Sequence, residues 1–353
     1  MKYSSVIFVA DLPYIIAWES TKACKFACLH CRAEAQTLPD PAELTTEEVK
    51  DLISQIAGEK RLFIITGGDP LLRDDIFQII KYASNLGLRV ALALSGSKVN
   101  QESSEKMKKF GVAHISFSLD GSNSEIHDAF RGVVGAYDRT LKNISYIKKA
   151  ALPFNILTTV TKYNYKDIWK IQVLVEKLGA SMWDLFMLVP TGRGKVEMEI
   201  TPQEYEQLME EFYVRSQKTK IPIKMTCAPQ YQRVMRQNKK KLSITSNRHK
   251  MIQHGCMAGN GYCFISHKGE VCGCGFLPIS AGNIKTNSLE EIYSKSKLFN
   301  ELRNKDLLKG KCGICEFKVV CGGCRARAYG VHKDHLAEEE YCIYTPTDRI
   351  LEN

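Results

Sequence analysis

Between residues 14 and 217, apolar and β-branched runs alternate six times with helical segments, and no other feature restricts the fold of this chain as strongly. The runs are "YIIAWES" (14–20), "LFIIT" (62–66), "RVALAL" (89–94), "AHISFSLD" (113–120), "FNILTTVT" (154–161) and "WDLFMLVP" (183–190). The stretches between them carry helix ends. Thr45 with Glu48 forms a capping box before "VKDLISQIA", helices stop at Gly87 and Gly179, and Thr201, Pro202 and Glu204 open another. Six strand–helix units in succession predict an α/β fold, a parallel sheet covered by helices. Periodicity alone is compatible with a flat doubly wound sheet and with a partial barrel. After about residue 226 the pattern gives way to Gly, Cys and basic residues, and only "NSLEEIYSKSKLFNELRN" (287–304) reads as a clear helix. The expected division is therefore 1–225 and 226–353.

The thirteen cysteines follow this division. Three lie within the first 31 residues, none falls between Cys31 and Cys227, and nine lie between Cys256 and Cys342. Core cysteines would scatter more evenly. The N-terminal "VIFVADLPYIIAW" is broken by Asp11 and Pro13 and reads as strand rather than signal peptide, and no run has the apolar length of a membrane span. The expected compartment is the cytoplasm, where clustered thiols bind metal more often than they form disulfides. A thin-cored C-terminal region of this kind needs metal to hold it together.

The stretch "ACKFACLHCRAEA" (23–35) places Cys24, Cys28 and Cys31 directly after the first strand, at the carboxyl end of the sheet where α/β enzymes put their chemistry. Four thiolates would make a closed metal site and two a redox pair. Three in this spacing can hold three irons of a cubic [4Fe–4S] cluster and leave the fourth iron without a protein ligand.

This loop resembles that of the radical S-adenosylmethionine (SAM) enzymes, and the resemblance implies a partial (β/α)6 TIM-type barrel. It also implies a SAM-binding [4Fe–4S] cluster whose open iron chelates SAM, the source of a 5′-deoxyadenosyl radical. Later segments support it in order. "ITGGDPLLRDD" (65–75) resembles the family's stretch that holds the methionine amino group, which implies roles for Gly67, Gly68, Asp69 and Pro70, with Asp69 in place of the usual Glu. By the same resemblance Ser95 and Ser97 of "LALSGS" fall where ribose or carboxylate is contacted. Ser118, Asp120 and Arg131 of "SFSLDGSNSEIHDAFRG" fall near cofactor or substrate, and Val189 of "LVPTGRG" near adenine. Singly, each of these turns is ordinary βα-loop chemistry.

The C-terminal cysteines resemble the SPASM extension of some radical SAM enzymes, with CxxC at Cys321/Cys324 where CxxxC is usual. The resemblance implies one or two auxiliary [4Fe–4S] clusters, one held by Cys312, Cys315, Cys321 and Cys342 and another by Cys256, Cys263, Cys274 and Cys324. Cys227 and Cys272 are left over. Spacing alone also suits zinc on the CxxC pairs, as in a nucleic-acid or scaffold module.

The net charge of +10 points to an acidic partner such as nucleic acid, anionic peptide or polycarboxylate, or simply to a solvated Lys-rich surface. The densest basic stretch, 236–250, reads as an exposed loop. "VPTGRGK", "TCAPQYQRVMRQ", "GCMAGNGYCFISHKGEV" and the segment 312–342 resemble the radical SAM heme synthases, which decarboxylate Fe-coproporphyrin III. That resemblance implies an anionic porphyrin substrate and an external electron donor and acceptor, with no membrane or nucleic-acid partner. The cations expected to meet propionates are Arg131, Arg193, Lys195, Arg233, Arg236, Arg325 and Arg327, since Arg suits bidentate carboxylate contacts. Tyr231 and His254 are candidates to approach the ring. Peptide maturation and the heme d1 branch are the alternatives.

Overall fold

The computed structural model describes residues 11–242 and 255–347. Each expected run forms a strand: β1 (Ile15–Glu19), β2 (Leu62–Thr66), β3 (Arg89–Leu94), β4 (Val112–Ser118), β5 (Phe154–Val160) and β6 (Met182–Met187). They pair in parallel and in sequence order, with Ile15 opposite Leu62 and Trp18 opposite Ile65. A helix follows each strand. A doubly wound sheet reverses its order at the first strand, whereas here every new strand adds on the same side, so the sheet is the curved, partial-barrel kind. Chain pattern explains the helices. Thr45 and Thr201 make their capping boxes, and the helix Ile168–Leu178 ends on Gly179 in the left-handed conformation. The expected helix 287–304 is two helices, Leu289–Lys295 and Lys297–Arg303. Ser296, extended, ends the first and caps the second through Phe299 N.

Four strands lie beyond the six. β7 (Ile223–Thr226) extends the parallel edge beside β6, and the expected division at 225/226 falls inside it. β8 (Tyr262–Ile265) pairs in parallel with the free edge of β1, and β9 (Glu270–Cys272) and β10 (Ser280–Asn283) continue antiparallel. The cysteine-rich half is therefore joined to the first strand by backbone hydrogen bonds. Part of the basic stretch expected as a loop belongs to the helix Tyr231–Leu242, and the rest, with His254, lies outside the described residues.

One core, including Trp18, Phe63, Trp183 and Phe212, fills the space between sheet and helices. Ala17, Phe264 and Cys272 form a small cluster on the opposite face of the sheet. The loops at the carboxyl ends of the strands carry the site. Among the described residues no helix is long and apolar enough to cross a membrane.

Candidate functional site

The cysteine loop after β1 hangs from three other strand ends. From the β2 end, Gly68 N donates to Thr21 O at 2.7 Å and Asp69 N to Ala23 O at 2.7 Å. A Cβ at position 68 would lie 2.1 Å from the Ala23 carbonyl oxygen, so only glycine admits this approach. From the β6 end, a Cβ at Gly192 would lie 2.4 Å from Arg32 O, and Arg193 donates to three loop carbonyls, Cys31 (3.0 Å), Cys28 (3.0 Å) and Ala35 (3.0 Å). From the segment after β4, Leu29 N and Ala27 N donate to Phe130 O and Arg131 O.

Each of the three thiols meets a donor, and Cys24 meets the Ser95 hydroxyl as well. Phe26 N reaches Cys24 Sγ at 3.4 Å, Ala35 N reaches Cys31 Sγ at 3.4 Å, and the Arg131 guanidinium reaches Cys28 Sγ at 3.5 Å. Burial pushes the Cys24 thiol up and nearby carboxylate and thiol add to this, so a thiolate here calls for a cationic partner. Arg131 is ion-paired with buried Asp120, which also accepts from Thr159 N at 2.7 Å. Burial opposes the Arg131 charge, but Asp120 and Cys28 outweigh it and raise its pKa. The donor set fits a cluster: three thiols on one loop, each with a hydrogen-bond donor, and no fourth cysteine beside them. Among the described residues, which include all thirteen cysteines, no three His, Cys, Asp or Glu side chains converge as a single metal ion requires.

Asp69 is fully buried and accepts from Ser95 Oγ (2.7 Å), Ser97 N (2.8 Å) and Ser97 Oγ (2.5 Å). Ser95 and Ser97, expected at ribose or carboxylate, thus tie the β2 end to the β3 end through Asp69. Pro70 opens a short 3₁₀ turn behind it, Ser118 ends β4, and the Val189 side chain is buried in the core.

In the C-terminal half, Cys312, Cys315, Cys321 and Cys342 line one cavity together with Arg233, Lys311 and Lys318. Glu339 N, Phe317 N and Gly323 N donate to Cys312, Cys315 and Cys321 at 3.3, 3.4 and 3.4 Å. Burial pushes the Cys321 and Cys342 thiols up. In the second expected set, Cys274 neighbours both Cys256 and Cys324, while Cys263 lies in β8 on the face turned to the main core, where the thiol that acts on it is Cys272. Strand alternation is the cause: the next residue along, Tyr262, faces Cys274 instead.

Several expected substrate cations are structural. Arg327 is fully buried, paired with Glu199 (3.2 Å) and Glu339 (3.4 Å), and donates to Leu188 O and Cys227 O. Arg325 is buried and donates to His335 O and Ala337 O. Arg233 pairs with Glu206 and lies over the Tyr344 ring, Arg193 holds the cysteine loop, and Tyr231 is buried against Phe212. Lys195 and Arg236 are exposed. A long buried side chain such as Arg327 reads in sequence like any surface cation, so nothing flagged its role. Arg32 was not anticipated. It pairs with Glu19 at 2.9 Å and lies 4.6 Å over the Phe264 ring, joining the cysteine loop to β8.

Residues 18–175 match the radical SAM superfamily, and residues 256–318 match the iron–sulfur cluster-binding SPASM domain. The chain is 45% identical over 346 residues to an AdoMet-dependent heme synthase of Methanosarcina barkeri, covering 97% of this chain and 99% of that one. It is 44% identical over 342 residues to an AdoMet-dependent heme synthase of Nitratidesulfovibrio vulgaris, covering 94% and 92%. Its fold is similar to that of Streptococcus suis SuiB bound to precursor peptide SuiA, with a TM-score of 0.74 at 17% identity over 95% of this chain and 77% of that one.

Proposed function

Because this chain belongs to the radical SAM enzymes, in the family of the AdoMet-dependent heme synthases, we propose that it converts Fe-coproporphyrin III to heme b by turning two propionates into vinyl groups. The observation that carries the reading is 45% identity running through both cysteine regions and nearly the full length of each chain. Each conversion removes a hydrogen atom from the propionate β-carbon, CO2 and one electron, and so needs an electron acceptor. Bound at Cys24, Cys28 and Cys31, the cluster and SAM supply the 5′-deoxyadenosyl radical that takes the hydrogen.

The chain's own residues set up that chemistry. Gly67, Gly68, Asp69 and Pro70 present backbone beside the cysteine loop, with Ser95, Ser97, Ser118, Asp120, Arg131 and Val189 around the same strand ends. Arg131 holds its guanidinium against the Cys28 sulfur, anchored there by its pair with Asp120. Residues 226–353 are read as the auxiliary-cluster unit, whose cysteines would hold clusters able to pass the substrate's electron to an external acceptor, and an external donor would supply the electron needed at Cys24, Cys28 and Cys31. We place the enzyme in the cytoplasm, where thiols remain reduced. Peptide maturation shares the fold of SuiB but only at an identity that speaks for fold alone.

Anaerobic incubation with SAM, reductant and Fe-coproporphyrin III is expected to yield heme b and 5′-deoxyadenosine. Cys28→Ala is expected to abolish SAM cleavage while keeping the auxiliary iron. Formation of 5′-deoxyadenosine with the porphyrin left intact would reject the substrate assignment.

A further inference from the structure

Cys227 was left without a role by its place in the sequence, far from the other C-terminal cysteines. It follows β7 directly, at the carboxyl end of the last parallel strand, and its backbone is left-handed, with φ of 60°. A non-glycine residue adopts that conformation rarely and needs its surroundings to hold it there. Two side chains do so through its carbonyl: Tyr205 Oη donates at 3.0 Å and Arg327 Nη1 at 3.1 Å. Both donors are fully buried, Tyr205 at 1% and Arg327 at 0% exposure.

The turn brings the Cys227 thiol into hydrogen-bond contact with Cys324, and Cys274 is close enough to act on both electrostatically. Cys274 in turn neighbours Cys256. Thiols from four separate segments therefore neighbour one another in succession, Cys227 to Cys324, Cys324 to Cys274 and Cys274 to Cys256: one after β7, one at the start of the helix Arg325–His332, one after β9 and one before β8. Cys263 is absent from this group. It shares the main core with Ile16 and Trp18, while its neighbour Tyr262 is the residue of β8 that faces Cys274 and Cys227. For Cys263 to join, β8 would have to slip by one residue, which would carry its whole side-chain pattern to the wrong face and break the pairing of Ile16 with Cys263 and Trp18 with Ile265.

We propose that Cys227, not Cys263, completes the four-cysteine ligand set of the auxiliary cluster held by Cys256, Cys274 and Cys324. The assignment rests on the reading of the C-terminal half as a cluster-bearing unit. It makes the last strand of the catalytic sheet a direct ligand donor to that unit, so cluster loading locks the two halves of the chain together. Arg327 then has a second effect. It fixes the Cys227 carbonyl on one side and pairs with Glu339, whose carboxylate accepts from Cys324 N at 2.8 Å, on the other.

The test uses the full chain with Cys24, Cys28 and Cys31 all replaced by Ala, so that only auxiliary iron is counted after anaerobic reconstitution. This background is expected to hold about eight irons, four for each cubic cluster. Adding Cys227→Ala is expected to lower the count to about four, or to replace one cluster's electron paramagnetic resonance signal with that of a three-iron species. Adding Cys263→Ala is expected to change neither. The Cys227→Ser variant, with circular dichroism on each protein, separates ligand loss from unfolding: a folded chain with an altered signal supports the assignment. Full iron and an unchanged signal in Cys227→Ala overturn it, as does loss of a cluster in Cys263→Ala. A background that binds no iron would instead reject the cluster-bearing reading itself.

Discussion

Cys24, Cys28 and Cys31 come from a single loop and are steadied from outside by backbone contacts, with Gly68 and Gly192 fitted against carbonyl oxygens and Arg193 donating to three more. Cys256, Cys274 and Cys324 come from separate segments, with Cys227 beside them, and their surroundings are steadied by buried charge: Arg327 between Glu199 and Glu339. The first arrangement depends on close backbone approaches, on the Arg193 side chain and on one matched buried pair, Asp120 with Arg131. The second depends on a few side chains that must stay paired, because an unpaired charge in the interior is costly. A loop motif can therefore be positioned by glycine, main chain and a pair in which each charge has its own partner, whereas the centre assembled across the fold has two carboxylates sharing one cation to hold its parts in register.

The largest effect is expected on the dispersed side. Arg327→Met leaves Glu199 and Glu339 buried without their cation and frees the carbonyls of Leu188 and Cys227. Breaking a buried pair in this way costs about 3–5 kcal/mol. Anaerobic thermal denaturation and iron analysis are expected to show a lower Tm with loss of auxiliary iron and retention of the N-terminal iron. Equal loss from both regions would break the comparison. Gly68→Ala addresses the other side. Its Cβ would meet the Ala23 carbonyl oxygen at 2.1 Å, backbone against backbone, and overpacking of this kind costs about 1–3 kcal/mol. The variant is expected to lose N-terminal iron and SAM binding, measured by equilibrium dialysis, while its auxiliary iron stays. Undiminished SAM binding would show that the loop does not need the glycine.

These differences track what could be read in the sequence. The six strands and the three-cysteine loop were legible because their signals are local: a β-branched run, a capping box at Thr45 or Thr201, three cysteines in eight positions. β7 gives no signal because "IKMT" is short, preceded by Pro222 and interrupted by Lys224, and β8 gives none because it is stabilised by pairing with β1, about 247 positions earlier in the chain. The choice between Cys227 and Cys263 turns on which face of β8 a side chain takes and on a left-handed turn after β7, neither of which spacing encodes. The expected role of Arg325 and Arg327 at the substrate failed for a related reason. Charge counts treat every guanidinium as surface, and only tertiary structure reveals one that is fully enclosed.

The smallest effect is the most specific to the dispersed centre. Two carboxylates, Glu199 and Glu339, share the single Arg327 guanidinium, whereas in the N-terminal site Asp120 and Arg131 are matched one to one. The surplus falls on Glu199. Burial, and after it repulsion by Glu339, raises its pKa from 4.5 to about 7 against the pull of Arg327. The folded chain therefore holds a proton on Glu199 that the unfolded chain has released between pH 4.5 and about 7. By linkage, this proton's contribution to stability is complete below pH 4.5 and is lost as pH rises through about 7. Glu199→Gln mimics the protonated form at every pH. It is expected to match the parent chain near pH 5 and to exceed its Tm at pH 8, flattening the pH dependence of anaerobic melting. If the variant keeps the parent's slope, the surplus carboxylate is held elsewhere, and the contrast between a balanced N-terminal pair and an unbalanced C-terminal one does not stand.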